Sequence, residues 1–434
     1  MSTVRQDPGS LADKMDGLAA QLKARASAMR ADPDTAVPHE AAANGRLLQA
    51  ADEVLSELKS PFAQLMDTMV CMAKFGALRL FIKWDLLAKI PAEEGAAVSY
   101  EELAQSIGAE TALVARLGAV LVSTNVLRQV GAGRVAHTAH SSAYASPESP
   151  LRALACLGFD GHLKTLAQLP AYFDRFGLRE PTGRHNTAMA FAAGDASLSV
   201  WDCMSGNPEL ARNMMVAMAS MASKTPTVGS YDFRWVVEQG GSSSSSSTPS
   251  GGASGSHDRQ QQRPLVVDVG GGKGHALQAI HDATPGLDMS RCVVQDIPVV
   301  VHEAQRLATG PLAAARFAAV DFHEEQPVKG ALVYYIRRCL HDYGDDECVG
   351  ILGHIADAMD VDSRLLIVEQ VLTDPPSAVS VANDVFMAFI GGKERAEDGF
   401  RAILARAGLV LAELHRCEGT DYAVVECCRA EAVT

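Results

Sequence analysis

A cluster of glycines carries the clearest chemical signal in the sequence. Residues 267–274 read VDVGGGKG and stand between an apolar, strand-like segment and a helix-like segment. Glycine lets the backbone turn tightly and approach a ligand closely, and the following helix would direct its N-terminus into the same site. Gly270, Gly272 and Gly274 have the spacing G-x-G-x-G, with Asp268 two residues before the first of them, whereas a dinucleotide loop has the spacing G-x-G-x-x-G. The pattern favours S-adenosylmethionine over NAD, and a purely structural turn remains the alternative.

Acidic residues further along the chain would complete a nucleoside site. Asp296 ends the next predicted strand, 22 residues after Gly274, where a carboxylate can accept both ribose hydroxyls. An aspartate at a strand end is also a common helix cap, so that alternative stays open. Asp321 and Phe322 end the third predicted strand and would place an acceptor and an aromatic ring beside an adenine. We interpret these residues, together with the glycine loop, as a cofactor site.

A histidine follows the fourth predicted strand. Residues 337–343 read RRCLHDY, with Arg337 at the end of the strand and His341 just beyond it. Neutral imidazole, with an ordinary pKa of about 6.5, can take the proton of a hydroxyl whose oxygen attacks a sulfonium methyl group. A carboxylate on the other ring nitrogen would fix the tautomer. A helix-capping or core histidine is the alternative. The chemistry requires no metal, and the sequence shows no metal-ligand spacing.

Two glutamates extend this pattern. Glu369 lies in the C-terminal half of the fifth predicted strand, and Glu394 lies just before the next predicted helix. In open α/β sheets, ligands bind at the carboxyl ends of the parallel strands. Polar residues placed at random would not gather at that edge, so the positions of these side chains predict one functional site.

The elements that must position these residues alternate from residue 264 onward. We predict strands at 265–269, 292–295, 317–320, 331–336, 365–371, 410–415 and 422–427. We predict helices at 275–283, 299–307, 346–359 and 397–407. The alternation indicates an α/β fold whose mostly parallel sheet has helices on both faces. The short connection between the last two strands predicts an antiparallel hairpin at the end.

The preceding region, residues 46–225, is almost entirely helical in pattern. Between residues 61 and 87 the apolar side chains recur at three- and four-residue spacing, as on a buried helix face. Residues 98–145 resemble a winged helix, which opens with a candidate capping box of Ser99 and Glu102. Three arginines against three glutamates in this stretch leave no basic stripe, so packing is favoured over DNA binding. These apolar helices predict a homodimer.

Two further segments complete the predicted organisation. Residues 1–45 are predicted to be a flexible arm or a loosely attached helix, and residues 240–263 a flexible insertion rich in serine and glycine. The predicted domains are therefore the arm at 1–45, the helical domain at 46–225, and a cofactor-binding domain at 226–434 that carries the insertion.

Composition disfavours several functional classes. A formal net charge of -14 over 434 residues disfavours nucleic acid and anionic membranes as partners. The 9 cysteines are scattered and form no C-x-x-C pair, which predicts reduced thiols in a cytoplasmic protein. We see no secretory signal and no apolar run of about 18 residues, so the sequence predicts neither secretion nor a membrane span.

From about residue 50 to its end, the sequence resembles the plant caffeate-type and fungal secondary-metabolite O-methyltransferases. The matching segments read VDVGGGKG, QDIP, VDF, RRCLHDYGDDEC, IVEQVL and GGKERAEDGFRAILARAGL. Members fold as a helical dimerisation domain with a winged-helix part, joined to a Rossmann-like class I methyltransferase domain. The resemblance implies S-adenosylmethionine-dependent methylation of a hydroxyl on a small, aromatic secondary metabolite.

The resemblance also implies roles for individual residues. His341 would be the general base, with Glu369 and Glu394 flanking and orienting its imidazole. Tyr343 replaces the usual tryptophan. The cofactor contacts implied are Gly270 and Gly272 to the methionine part, Asp296 to the ribose, Asp321 to the adenine, and Arg337 near the cofactor, where plant members carry lysine.

The acceptor pocket is harder to locate. Several methionines lie near Met218 in one predicted helix. Phenylalanines lie close to Met387 in the sequence, just before the GGKER segment. Thioethers and rings suit a flat aromatic acceptor, whereas a helix core is the plainer interpretation. We select Met218 and Met387 as candidate contacts. A nicotinamide-dependent oxidoreductase and a catalytically silent cofactor-binding protein remain the alternative functions.

Overall fold

The computed structural model describes residues 8–31, 41–93, 95–229, 231–241 and 263–430. Contacts divide the chain into two units, Met1–Ala155 and Cys156–Thr434. Most of the serine-rich insertion, residues 242–262, and part of the predicted arm lie outside the described residues. The sequence predicted a boundary between the helical domain and the cofactor-binding domain at residues 225 and 226. That boundary stays a prediction.

The first unit begins with three long helices, α1 (Pro8–Ala31), α2 (Ala41–Leu58) and α3 (Pro61–Lys83). Helix α3 starts after Ser60, whose side chain accepts a hydrogen bond from a backbone N–H of the first turn. Proline at the first helical position lacks only an N–H that would have no partner within the helix. The described part of the predicted arm is therefore helical.

A winged-helix element follows, as the sequence predicted. Its parts are β1 (Val98–Ser99), α4 (Tyr100–Gln105), α5 (Thr111–Ser123), β2 (Leu127–Gln129) and β3 (Arg134–His137), followed by α6 (Ala139–Ser142). The capping box is present, because Ser99 and Glu102 exchange hydrogen bonds with each other's backbone N–H. The strands form an antiparallel sheet in the order β1-β3-β2. The two-residue strand β1 is too short for its pattern to show in the sequence.

The second unit opens with helices that precede the large sheet. They are α7 (Pro150–Leu157), which crosses the unit boundary, a π-helical turn (Gly158–Leu163), α8 (Lys164–Phe176), α9 (Ala188–Ala193), α10 (Val200–Ser205), α11 (Pro208–Lys224) and α12 (Arg234–Gly241). Apolar side chains of α8 to α11 form one cluster around Tyr172 and Phe389, whereas Val236 of α12 packs in a core of the large sheet.

The large sheet confirms the predicted α/β class. Its strands are β4 (Val266–Val269), β5 (Val293–Asp296), β6 (Arg316–Ala319), β7 (Val333–Arg337), β8 (Arg364–Leu372), β10 (Leu409–Arg416) and β11 (Tyr422–Arg429), with the short β9 (Arg395–Ala396) beside β8. The order is β10-β11-β8-β7-β4-β5-β6. Pairing is parallel from β6 to β8 and antiparallel where β11 joins β8 and β10.

Helices cover both faces of this sheet. They are α13 (His275–Ala283), α14 (Pro298–Leu307), α15 (Asp345–Ala356), α16 (Ala378–Ala388) and α17 (Glu397–Arg406). Alternate residues of the central strands enter opposite cores, so Leu365 and Ile367 pack with α15 and α17 while Leu366 and Val368 pack with α13. Helix α16 was missed by the sequence analysis. Among the described residues, no helix is sufficiently long and apolar to cross a bilayer.

The first half of α3 is apolar yet exposed. Its exposed large side chains are Phe62, Leu65, Met66, Met69, Val70 and Met72, whereas Leu78, Phe81 and Ile82 in the second half are buried. The predicted buried face is thus buried within one chain only toward the end of the helix. A contiguous apolar surface of this kind marks an interaction site, and the same face would be covered in a homodimer.

We therefore predict that Leu65→Asp combined with Met69→Asp converts a dimer into a monomer. Burial of each large apolar side chain contributes about 1.5–3 kcal/mol, so placing two charges per copy in the interface should raise the dissociation constant about 100-fold or more. Analytical ultracentrifugation at micromolar concentration checks this. Val361→Asp, at another exposed valine, is the control and should leave the mass unchanged. A wild-type monomer would contradict the prediction.

Candidate active site

Backbone conformation makes glycine necessary in the loop that follows β4. Gly270, Gly272 and Gly274 have φ values of 67°, 56° and 79°, which other residues rarely adopt. A Cβ atom on Gly270 would also lie 2.8 Å from the Sγ atom of Cys339 and 3.3 Å from the ring of Phe322. The loop therefore runs directly against the segments that follow β7 and β6, with no room for a side chain between them.

Asp268 supplies an unpaired acceptor beneath this loop. The residue is 2% exposed, and its Oδ2 atom has no hydrogen-bond partner among the described residues. Burial raises the pKa of its carboxyl group to about 7, although the guanidinium of Arg337 acts in the opposite direction. Arg337 donates to the carbonyl oxygens of Thr225 and Pro226. An unpaired buried acceptor is costly unless a ligand donates to it, so this oxygen fits a bound ligand with an N–H group.

The next two acidic residues lie on neighbouring strand ends. Asp296 accepts the N–H of Gly272 on Oδ2 and the N–H of Ile297 on Oδ1, both within 2.9 Å. It therefore ties the glycine loop to the start of α14, and it remains half-exposed. Asp321 is exposed and accepts the N–H of His323. Phe322 is half-buried beside Gly270. The structure thus brings together all the predicted cofactor residues at the carboxyl edge of the sheet.

His341 lies in a 3-10 turn directly after β7. Its Nδ1 atom is 2.9 Å from Oε1 of Glu394 and 3.9 Å from Oε2 of Glu369, and its Nε2 atom is 3.7 Å from Oδ1 of Asp342. Three carboxyl groups thus surround one imidazole. Of these three carboxyl groups, only that of Glu394 lies within hydrogen-bond distance of the ring.

Glu369 holds the turn itself. Its Oε1 atom accepts the N–H groups of Cys339 and Leu340, at 2.9 and 3.0 Å. From the other side, the N–H of Lys393 donates to the carbonyl of His341 at 2.8 Å. The buried Arg395 guanidinium donates to the carbonyls at both ends of the turn, those of Leu340 and Tyr343. The position of the imidazole is therefore set by backbone contacts as well as by its own side chain.

The charged groups of this cluster shift one another's pKa values. Burial by itself lowers the pKa of His341, but the nearby carboxylates of Glu369, Asp342 and Glu394 outweigh it and raise that pKa to about 10. Burial raises the pKa values of Glu369 and Asp342, and the imidazolium acts in the opposite direction. The carboxyl groups therefore stabilise the protonated imidazole, which is the form that His341 would take on accepting a proton.

Among the described residues, two groups of side chains are close enough to hold a metal ion. His341, Glu369 and Glu394 offer ligand-type atoms within 4.8 Å of one another, and so does a second group on β10 and β11, formed by His415 with two glutamates. In the first group, Nδ1 of His341 is already bonded to Glu394, and Oε1 of Glu369 already accepts two backbone N–H groups. We assign no metal ligand here.

A cavity of about 130 Å³ adjoins the histidine turn. Its lining is Arg184, Ser199, Val200, Trp201, Met214, Met218, Asp342, Tyr343 and Ile390. Met218 is in the cavity wall, whereas Met387 is not among the lining residues. The prediction that both contact the acceptor stays a prediction. Asp342, Arg184 and Arg395 were not selected from the sequence. Asp342 follows the histidine directly, so its position was the available signal, whereas nothing in the sequence places Arg184 near the others.

Comparisons with known proteins identify the family. Residues 236–410 match the model of the O-methyltransferase domain, and residues 64–147 match that of the O-methyltransferase dimerisation domain. Methyltransferase cfoD of Aspergillus candidus is 37% identical over 393 residues, which are 89% of this chain and 93% of cfoD. The chain belongs to this O-methyltransferase family. The family prediction from the sequence is thereby confirmed.

Solved structures share the fold of this methyltransferase. OxaC in complex with SAH and oxaline has a TM-score of 0.76 at 21% identity, covering 97% of this chain and 99% of OxaC. The mitomycin 7-O-methyltransferase MmcR has a TM-score of 0.66 at 26% identity, covering 88% of this chain and all of MmcR. The methyltransferase uses S-adenosylmethionine, as the glycine spacing predicted, and the nicotinamide-dependent alternative is not favoured.

We expect Gly392→Ala to disable the methyltransferase without unfolding it. The added Cβ would lie 2.2 Å from the carbonyl oxygen of His341, so the histidine turn must move. Turnover should then fall about 10- to 100-fold, because a displacement near 1 Å disrupts the alignment of the reacting groups. Gly353→Ala is the matched control, since nothing lies within 4 Å of its Cβ position. Equal turnover of the two variants would show that the turn tolerates displacement.

Asp296→Ala should weaken binding of S-adenosylhomocysteine. The substitution removes the predicted ribose acceptor and releases the N–H of Gly272. The expected cost is about 1–3 kcal/mol, or about 5- to 150-fold in affinity. Isothermal titration calorimetry measures the change. Asp288→Ala is the control, because that carboxylate caps a surface turn. Unchanged affinity in Asp296→Ala would remove this residue from the cofactor site.

Proposed function

We propose that this methyltransferase transfers a methyl group to a hydroxyl oxygen of a small, ring-containing natural product, with His341 as the group that takes the proton. The observation that supports this most directly is the 2.9 Å contact between Nδ1 of His341 and Glu394. It engages one ring nitrogen and leaves Nε2 on the side of Asp342, which lines the cavity.

On the cofactor side, we assign roles by fit. Gly270 and Gly272 are assigned to the methionine part, since nothing lies within 4 Å of a Cβ position on Gly272, and the unpaired Oδ2 of Asp268 suits an ammonium donor. Asp296 would accept from the ribose. Asp321 and Phe322 are assigned to the adenine region. Arg337 is assigned to the wall beneath the cofactor, where its guanidinium donates to the carbonyl oxygens of residues 225 and 226.

The residues of the chain then divide the reaction between them. S-adenosylmethionine, when bound, supplies a methyl group on a cationic sulfur, which leaves with the electron pair of the broken carbon–sulfur bond. The acceptor oxygen forms the new bond to carbon, and its proton passes to Nε2 of His341. Glu394 stabilises the resulting imidazolium through Nδ1–H, as carboxylates do in hydrolase triads. Glu369 keeps the turn in register.

The acceptor itself is assigned from the cavity wall. Val200, Trp201, Met214 and Met218 offer apolar and thioether surface that packs well on a flat ring. OxaC was solved with oxaline and MmcR is named for mitomycin, and both names point to ring-containing natural products. Met387 is kept as a weaker candidate near the same cluster. The match to the dimerisation domain and the exposed face of α3 support a homodimer.

His341→Gln tests the central assignment. Turnover should fall about 100-fold or more, while affinity for S-adenosylmethionine changes less than about 2-fold, because only the proton acceptor is lost. Glu394→Gln should have a smaller or comparable effect, since the ring position is kept. His281→Gln, on the surface helix α13, is the control. Near-normal turnover of His341→Gln with a hydroxylated acceptor would show that the histidine is structural.

A further inference from the structure

The cavity beside the histidine turn is small for the acceptor proposed above. Its volume is about 130 Å³, whereas sites for small molecules usually enclose about 300–1,000 Å³. Even a cavity that holds benzene alone has a volume of about 150 Å³. Trp201 lines the cavity and is largely exposed, so the cavity reaches the protein surface at this side chain. A ring-containing acceptor therefore requires one of the walls to move.

The walls of this cavity differ in how firmly they are held. Asp342 and Tyr343 belong to the histidine turn, whose backbone is bound from both sides by the contacts described above. The wall residues that pack in the apolar cluster of α8 to α11 are Val200, Met214 and Ile390. Arg184, in contrast, comes from the connection between α8 and α9. This connection is the part of the wall to consider as movable.

Residues 180–184 of that connection, here named the strap, border two spaces. Arg184 lines the cavity, and residues 180–183 line a cleft of about 430 Å³. The same division recurs in the other two segments that border both spaces. Tyr343 and Ile390 line the cavity, whereas Gly344 and Gly391, the residues that follow them, line the cleft. The boundary between the two spaces therefore runs where the strap meets the histidine turn and the loop before β9.

The strap lies directly on these two segments. A Cβ atom on Gly391 would lie 2.3 Å from the carbonyl oxygen of Gly183, and one on Gly344 would lie 3.4 Å from the Cβ atom of Thr182. The glycines thus let the strap settle against the backbone of the turn and of the loop. In this position the strap closes the cavity toward the cleft.

Two ion pairs hold the strap in this position. The carboxylate of Glu180 is 3.0 Å from Nζ of Lys393, and the guanidinium of Arg184 is 3.4 Å from the carboxylate of Glu347. Arg184 also lies 5.9 Å from the ring centre of Tyr343. About half of the Glu180 and Arg184 side-chain surfaces remain exposed. Ion pairs with this exposure stabilise only weakly, and salt screens them.

The backbone offers little further resistance to movement. Among the described residues, no backbone hydrogen bond involves residues 180–184. The flanking positions are fixed, because the N–H of Gly177 donates to the last turn of α8, and both backbone polar groups of Asn186 are hydrogen-bonded. The strap can therefore lift while its two ends stay in place, at the cost of two exposed ion pairs.

We propose that the strap is a movable wall of the acceptor site, held closed by its two ion pairs, and that its opening joins the cavity to the cleft and admits a ring-containing acceptor. The proposal rests on the function proposed above, which places the acceptor in this cavity. Opening breaks the contacts of Glu180 and Arg184, whereas the histidine turn keeps all its backbone contacts. The site can thus change its size without displacing the imidazole of His341.

Chemical labelling of a cavity residue measures this opening. In the Met218→Cys variant the new thiol lies in the cavity wall, and peptide mass spectrometry follows its reaction with iodoacetamide, a small reagent, or with fluorescein-5-maleimide, a multi-ring reagent. Glu180→Gln combined with Glu347→Gln removes both ion pairs of the strap. The combination should speed the multi-ring reaction about 5-fold and the small-reagent reaction less than about 2-fold. Met214→Cys repeats the measurement from a second position in the same wall.

A matched control and the effect of salt accompany this measurement. Glu303→Gln combined with Glu397→Gln breaks two exposed ion pairs elsewhere on the surface and should change neither rate. Added salt should speed the multi-ring reaction of the protein that keeps the ion pairs of the strap, because salt screens exposed charges. The same addition should have little effect on the protein that lacks these ion pairs.

Two results would overturn the proposal. Equal acceleration of both reagents would show that loss of the ion pairs loosens the fold in general, and unchanged rates would show that the strap does not limit access to the cavity. The labelling uses neither an acceptor nor turnover, so it does not depend on the proposed function. If that function fails, S-adenosylhomocysteine will not bind or His341→Gln will keep its turnover, and the labelling rates affect neither result.

Discussion

Two hydrogen bonds from the backbone of residues 339 and 340 to Glu369 fix the geometry on which the site depends. A carboxylate buried in a central strand needs hydrogen-bond donors, and few are within its reach. Here the donors are backbone N–H groups of the turn that follows the neighbouring strand β7. The turn cannot then move along the sheet edge without leaving a buried charge unpaired. Arg395 and the N–H of Lys393 hold the same turn from the opposite side. The imidazole is placed before any ligand arrives.

This arrangement also explains why the two glutamates beside the imidazole differ in function. Glu369 uses one oxygen to bind the backbone, and Glu394 uses one to bind the ring. The second oxygen of each is buried and has no hydrogen-bond partner among the described residues. Such unpaired acceptors are expensive in a stable core and common where function requires charge. The protein therefore gathers three acidic groups around one imidazole, and the guanidinium of Arg338 acts on one of them, Asp342.

Strand and helix positions in the second unit could be predicted because periodicity and glycine placement are local properties. The predicted helix at 275–283 matches the structure, since Gly274 precedes it and its apolar residues recur regularly. Helix α16 was missed because Asn383 and Asp384 interrupt its pattern, and Asp384 is there to accept the N–H of Glu394. The place of Arg184 in the cavity wall could not be predicted, because it depends on how a loop about 160 residues before His341 packs against the histidine turn. The sequence predicted a homodimer from the apolar helices but could not show which half of α3 is buried within the chain, because a helix face covered by a second chain has the same periodicity as one covered within the chain.

The contact among Gly270, Phe322 and Cys339 has a consequence for how such enzymes diverge. These positions belong to three separate strand exits, yet a single added carbon at residue 270 would lie 2.8 Å from the Sγ atom of Cys339 and would press on the ring of Phe322 at 3.3 Å. A larger side chain at 339 would press on the glycine loop, and a smaller one would leave a gap beneath it. The three positions cannot drift independently in sequence. A lineage that changes its catalytic turn must pass through paired substitutions at its cofactor loop, so the diversity of this family should collect in the helices that line the acceptor cavity.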